Sequence, residues 1–468
     1  MIDKPEIDAK AAELGVHRSN VQRDYAFGWL LSSFYQPDNL LRQLLILKGG
    51  NCFRKAYFEH ARYSNDLDFS TQSDVDPDLL LAGIKQACIR ARDGSQIEFL
   101  VDESRVAEKK TSDGDSRMFE ARVYFRSFYG EDEDLRLRVN LDVKEFDSIF
   151  LTVQTRKLIH SYSDAAACQA NLRCLKLEEL LASKLKALLQ RRHSPDLYDF
   201  VHSLFFQKVL AISRREVLTT FLKQTIYEPN PAAAKGLLLQ LPFELIRGFW
   251  NQYLVCPKLA LFSFDEAETW FKSIISEIFA LAEPAPAYAA RGWGGAPVFY
   301  SASLRDTIME GGRLQRLLHL VYDGYERLVE PYSLTFKRRR DGVGREYFYA
   351  WDRSGGSSGQ VGIKSFLAER VQSVSLTDST FEPRYPIELT KNDGGYFGRP
   401  FFGAPPASSV HKPKLQSRRQ SSSSYGMTYT VECSYCGKRF KRTSYDTKLN
   451  EHKDKYGNRC FGRVGFIV

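Results

Sequence analysis

Hydrophobic and polar positions follow two rhythms along this chain. In KLEELLASKLKALLQRR (176–192), Leu177, Leu180, Leu181 and Leu188 recur at steps of three, four and seven, which predicts an amphipathic helix. In LRLRVNLDV (135–143), Leu135, Leu137, Val139, Leu141 and Val143 alternate with Arg136, Arg138, Asn140 and Asp142, which predicts a strand with one apolar and one polar face. DLDF (66–69) alternates in the same way and is expected to be a strand, with Leu67 and Phe69 in the core. LLILKGG reads as an apolar strand ending in two glycines, followed by NCFRKAYF with helical character. EVLTTFLKQTI and WFKSIISEIFALA carry helical spacing, as does LRDTIMEGGRLQRLLHLVYDG. RLVEPYSLTF, EYFYAWD and ERVQSVSLT read as short strands.

These rhythms are interrupted twice. EPAPAYAARGWGGAP (283–297) is rich in Pro, Ala and Gly, and a second stretch ends in SRRQSSSS. The division expected is 1–205 as a mixed α and β domain, 206–282 as a helical domain and 283–300 as a linker. A third domain, 301–388, opens with a helix and continues in strands; 389–424 is expected to be disordered, and 425–468 to be a small terminal module.

The polar faces of the two predicted strands carry the chemistry. Residues i and i+2 of a strand share a face, so Asp66 and Asp68 stand side by side, with Asp142 on the polar face of the other strand. Carboxylates that close are ionised together only around a cation, and Mg²⁺ is the natural one because it takes oxygen ligands and leaves places for phosphate. Gly49 and Gly50 would let the backbone approach a ligand's phosphates, with Asn51 as a candidate N-cap of the following helix. Lys48, Arg54 and Lys55 add positive charge there. A GG pair alone is usually a turn and a DxD pair is often a solvated loop; order and spacing argue for a nucleoside triphosphate site.

Lys184 falls at the centre of the apolar stripe of 176–192, with Arg191 one heptad further on, whereas Lys186 points away as a surface charge. A lysine on a buried face either snorkels to water or reaches an anion inside, and nucleotide phosphates are one such anion. Pro195 ends the helix, and Asp196 is expected to cap the next one or to pair with Arg191 or Arg192.

Together, LKGG, RKAYF, RYSNDLDFS and LASKLKALLQRRHSPDLYDF resemble the AbiEii/AbiGii-type nucleotidyltransferase toxins of the DNA polymerase β-like nucleotidyltransferase superfamily, over roughly residues 20–205. The resemblance implies an α/β (α+β) domain with a mixed sheet flanked by helices and Mg²⁺-dependent transfer of a nucleotidyl group. By position it assigns Gly49 and Gly50 to the donor phosphates, Asp66, Asp68 and Asp142 to the metal, and Lys184 to the lysine of the last motif; Lys48, Asn51, Arg54 and Arg191 join the nucleotide site. It also implies an RNA acceptor, tRNA being one, and a separately encoded antitoxin, in a toxin–antitoxin or phage-defence setting. Two positions depart from the pattern: Asn51 replaces the common Thr or Ser, and Pro195 the common Arg before DLYD.

Residues 301–388 resemble a WYL-type domain, a small β-barrel, although Tyr347, Phe348 and Tyr349 stand where its signature triplet would be; Arg338, Arg370 and Tyr347 are its candidate ligand contacts. In the last block Cys433 and Cys436 form a CxxC, followed by His452 and Cys460, a set suited to tetrahedral structural zinc. Net charge over the 468 residues is +9, concentrated in KRRRD, KPKLQSRR and GKRFKR, which favours a polyanionic partner. An alternative follows from these modules alone: a nucleic-acid-binding regulator with the N-terminal fold as scaffold. No apolar run reaches membrane-spanning length and MIDKPEIDAK holds no signal-peptide core, so a cytoplasmic location without membrane contact is expected.

Overall fold

The computed structural model describes residues 2–109, 117–128, 136–282, 297–338, 343–356, 359–389, 429–433, 438–442, 449–453, 459–460 and 465–467. Two compact units are present, Met1–Phe401 and Phe402–Val468. Most of the segments expected to be linker and disordered chain, 283–296 and 390–424, lie outside the described residues, as does Cys436.

The first unit is built on a seven-stranded mixed sheet. Its strands are β1 (Ile46–Lys48), β2 (Asp66–Ser70), β3 (Arg105–Lys109), β4 (Met118–Arg126), β5 (Arg136–Lys144), β6 (Gln154–Lys157) and β7 (Asn171–Cys174), in the order β3-β4-β5-β2-β1-β7-β6. β2 runs parallel to β5 and β1 parallel to β7, while the other neighbours are antiparallel. Leu67, Phe69, Val139, Leu141 and Val143 are buried, as the alternation requires. Helices α1 (Lys4–Leu14), α2 (Arg18–Phe34), α3 (Gly49–Cys52), α4 (Pro77–Ser95), α5 (Leu177–Gln190) and α6 (Ser194–Val201) accompany the sheet. Five more, α7 (Arg214–Gln224), α8 (Pro231–Leu239), α9 (Phe243–Gly248), α10 (Trp250–Tyr253) and α11 (Phe264–Phe279), make up the helical stretch.

Beyond it, α12 (Ala302–Leu314) leads into a five-stranded antiparallel sheet of order β11-β10-β9-β8-β12. The strands are β8 (Arg316–Tyr322), β9 (Tyr325–Arg338), β10 (Gly344–Asp352), β11 (Gly362–Leu367) and β12 (Val371–Thr380). The helical rhythm from 304 to 324 is therefore only half right. Gln315, left-handed at φ 51°, ends α12, and RLLHLVY continues as a strand with Leu318, Leu320 and Tyr322 on its buried face. The described ladder is open, with β11 and β12 at its edges, where a barrel is expected from the sequence. Val298 and Tyr300 belong to this block rather than to a linker: both bond to the Glu346 region of β10.

The five-stranded sheet is tied to the helices of the same unit by a buried cation. Arg305 of α12 bonds the Leu189 carbonyl at 3.0 Å, the Tyr227 hydroxyl at 3.2 Å and the Glu346 carboxylate at 2.7 and 2.8 Å. Three blocks that composition separates thus share one compact unit.

The second unit holds β13 (Tyr429–Cys433), β14 (Arg439–Arg442) and β17 (Gly465–Ile467) in one sheet, and a hairpin of β15 (His452–Lys453) with β16 (Arg459–Cys460). Among the described residues no helix is long and apolar enough to cross a membrane.

Candidate active site

Register across the first sheet assembles the carboxylates. Lys48 of β1 stands opposite Asp68 of β2, Asp68 opposite Asp142 of β5, and Asp142 opposite Glu120 of β4. Asp66 lies one pleat further along β2, opposite Asn140. Carboxylate oxygens of Asp66, Asp68 and Asp142 all lie within 4.8 Å of one another, and all three residues are half-buried. A set of hard oxygen donors this close, facing a glycine backbone, fits Mg²⁺.

Local backbone geometry holds this cluster open. Gly49 has φ 69°, and a Cβ there would stand 1.9 Å from Asp68 Oδ2, so both the conformation and the space require glycine. A Cβ on Gly50 would meet Arg62 Nη2 at 2.8 Å. The helix begins at Gly49 itself, with Lys48 at the capping position. Asn51 is inside that helix and not its N-cap: its Nδ2 donates to the Asp66 carbonyl at 2.5 Å, tying α3 to the DxD strand. Ser64 Oγ donates to Asp66 Oδ1 at 2.9 Å. Lys109 of β3 donates to Asp142 Oδ1 at 2.9 Å and lies 3.0 Å from Glu120. Burial disfavours its charge, but Asp142 and Glu120 together outweigh that and keep the ammonium more firmly protonated than usual.

Several residues expected at the nucleotide have partners within the protein. Arg54 donates Nε to Asp24 at 2.8 Å and Nη1 to the Glu59 and Ala61 carbonyls; Lys55 reaches the same Asp24 at 2.9 Å. Burial alone would raise the Asp24 carboxyl, yet these two cations hold it well below the usual range. Lys184 does reach an anion on the buried face of α5, but the anions are Asp196 at 2.9 Å and Asp199 at 2.7 Å. Arg191 pairs with Asp196 at 2.8 Å, as expected from the sequence, while Arg192 turns to Asp306. Arg62 grips Asp199 through two bonds of 2.8 and 2.9 Å. Arg62 touches Gly50, so this buried network braces the glycine pair from behind.

A second cationic group lies beyond Asp68. Asp147 accepts from Lys48 at 2.6 Å, from Ser70 Oγ at 2.8 Å, and pairs with Lys144 at 3.0 Å. Burial opposes the Asp147 charge, but Lys48 and Lys144 outweigh it and keep the carboxyl ionised. Lys186 belongs to this group and is not an ordinary surface charge: it is half-buried, and burial followed by the Lys144 charge pushes its pKa down to about 8. Three lysines around one aspartate leave a positive excess beside the carboxylates. Alternation along β5 already places Lys144 on the face of Asp142; Lys186 needed the fold to bring Lys48 and Lys144 under it.

In the second unit, Cys433, His452 and Cys460 offer ligand atoms within 4.8 Å of one another. The two sulfurs are 3.7 Å apart, too far for a disulfide and close to the ~3.8 Å edge of a zinc tetrahedron with Zn–S near 2.3 Å. His452 Nδ1 lies 2.9 Å from the Asn450 carbonyl, which only accepts, so Nε2 is left as the ligand atom. These residues fit zinc.

A glycine-started helix beside three converging carboxylates on a mixed sheet is suited to a metal ion and phosphate groups. Residues 30–249 match the family model described as "Nucleotidyl transferase AbiEii toxin, Type IV TA system", so this segment, just under half of the chain, is similar to that family. The match runs beyond the boundary expected at 205 into the helical stretch. Among solved structures the chain is similar to MenT4, a nucleotidyltransferase toxin from Mycobacterium tuberculosis, at 18% identity and a TM-score of 0.39, over 61% of this chain and 92% of that one. No curated protein matches the chain.

Proposed function

We propose that this protein transfers a nucleotidyl group from a nucleoside triphosphate to an RNA acceptor, tRNA being the candidate, as the toxin of a toxin–antitoxin pair. The observation that carries the reading is the convergence of Asp66, Asp68 and Asp142 beside the Gly49 backbone. Mg²⁺ held by these three would neutralise the donor's phosphates and orient its α-phosphate. Gly49 and Gly50 receive the triphosphate, and Lys48, Lys144 and Lys186 take the charge of the departing pyrophosphate. The acceptor hydroxyl oxygen forms the new bond to the α-phosphorus as the α–β phosphoanhydride breaks, and Asp142 takes the hydroxyl proton. Asn51, Arg54, Lys184 and Arg191 act as positioning residues: each holds an element that carries a ligand-binding group. Structural zinc on Cys433, Cys436, His452 and Cys460 would hold the terminal unit together, presenting the exposed Lys438, Arg439 and Lys441 to a polyanion. A cognate antitoxin is the partner that the matched family's description supports.

The test is incubation of the full chain with Mg²⁺, each α-labelled nucleoside triphosphate in turn, and total cellular RNA. Label in an RNA band that disappears with Asp66→Ala/Asp68→Ala supports the reading. Label on protein would move the acceptor to another class, and no transfer to any acceptor would overturn the proposal.

A further inference from the structure

Arg23 of α2 reaches Asn65, the residue that precedes Asp66 and β2. It is 9% exposed, its guanidinium makes one hydrogen bond, to Asn65 Oδ1 at 2.9 Å, and its Nε has no partner. Burial first, then the charge of Arg138 on β5, disfavours its charged form. Among the described residues neither arginine meets a carboxylate. A buried guanidinium facing a second one without an anion is costly unless a ligand supplies the anion.

The position says which anion. Along β5 the polar face reads Arg138, Asn140, Asp142, Lys144, so the arginines and the lysine group lie on opposite sides of the carboxylates. Tyr124 of β4 stands directly opposite Arg138 and is half-buried. In-line displacement at phosphorus puts the attacking and leaving oxygens on opposite sides of the α-phosphate. With pyrophosphate departing toward the lysines, the attacking strand arrives over the arginines.

We propose that Arg23 and Arg138 bind a phosphodiester of the acceptor RNA strand, with the Tyr124 ring as a stacking surface for the adjoining base. This rests on the transfer reading for the identity of the strand, and the test separates the two. Binding of a single-stranded RNA of roughly ten nucleotides, about the footprint of one groove, is measured on the full chain without nucleotide, alongside binding of each nucleoside triphosphate. Arg138→Gln is expected to weaken RNA binding about tenfold, the loss of one charge-assisted contact. It should also lower the salt slope by about 0.7 and leave nucleotide affinity unchanged. Arg138→Lys should restore the slope but not the full affinity. RNA affinity unchanged in Arg138→Gln would overturn the proposal, and an equal fall in nucleotide affinity would reassign the site to the donor. Because the readout is binding, it stands even if the wild type transfers nothing.

Discussion

Lys184 and Lys186 stand two positions apart on one helix and answer to different neighbours. Lys184, with Arg62 and Arg191, is locked to Asp196 and Asp199, and both carboxyls stay ionised because these cations outweigh burial. Removing one partner from such a network leaves a charge buried and unpaired. Asp199→Ala is therefore expected to destabilise the protein by about 3–5 kcal/mol, read from urea unfolding, whereas Asp66→Asn should change stability by less than about 1 kcal/mol while abolishing transfer. Equal stability losses in the two variants would contradict this division. Lys186 faces Lys144, Asp147, Lys48 and Glu388, and its folded pKa of about 8 lies below that of an unfolded lysine. Between those values the unfolded chain binds more protons, so this residue's contribution to stability improves as pH rises above 8. Lys186→Met should accordingly stabilise the protein more at pH 7 than at pH 10. Triphosphate binding should draw a proton onto Lys186 near pH 8.5, seen as buffer-dependent calorimetric heat that the Met variant lacks; identical heats in the two proteins would remove Lys186 from the site.

At the scale of elements, the site is one strand pair and one helix start. Gly49→Ala forces a Cβ onto Asp68 at a left-handed position, so it should abolish nucleotide binding and lower stability by more than about 1 kcal/mol. An active Gly49→Ala enzyme would show that the contact is not needed. β2, β5 and α5 are legible in the sequence because each carries a complete rhythm, and the strand rule places Asp66, Asp68 and Asp142 correctly by register. What the rhythm of one segment does not carry is its partner. The stripe of α5 marks Lys184 as buried, but Asp199 lies beyond a helix break, and Arg62 lies in the loop before β2. Arg23 was equally hidden, since α2 is buried over nearly its whole length and has no polar face to mark it. RLLHLVY fits either period, and the left-handed turn at Gln315 decides for the strand.

The whole molecule combines a segment similar to the AbiEii nucleotidyltransferase family and an antiparallel sheet in one unit with a separate Cys/His-bearing unit. The latter's described core is small, Val431, Cys433, Leu449 and Cys460 with Phe440 against them, so the zinc proposed there would supply much of its stability. Chelation should therefore release one zinc per chain and unfold only the segment beyond Phe402, read as protease sensitivity there, with transfer to a short acceptor retained. Release of no zinc, or unfolding of the first unit as well, would contradict that assignment. Whether Asp66, Asp68 and Asp142 hold the ion that carries the donor nucleotide is read from Mn²⁺ binding, followed by electron paramagnetic resonance with a non-hydrolysable nucleoside triphosphate. The expected result is protein-bound Mn²⁺ that needs the nucleotide and vanishes in Asp66→Asn/Asp68→Asn. Undiminished Mn²⁺–nucleotide binding in that double variant would contradict it.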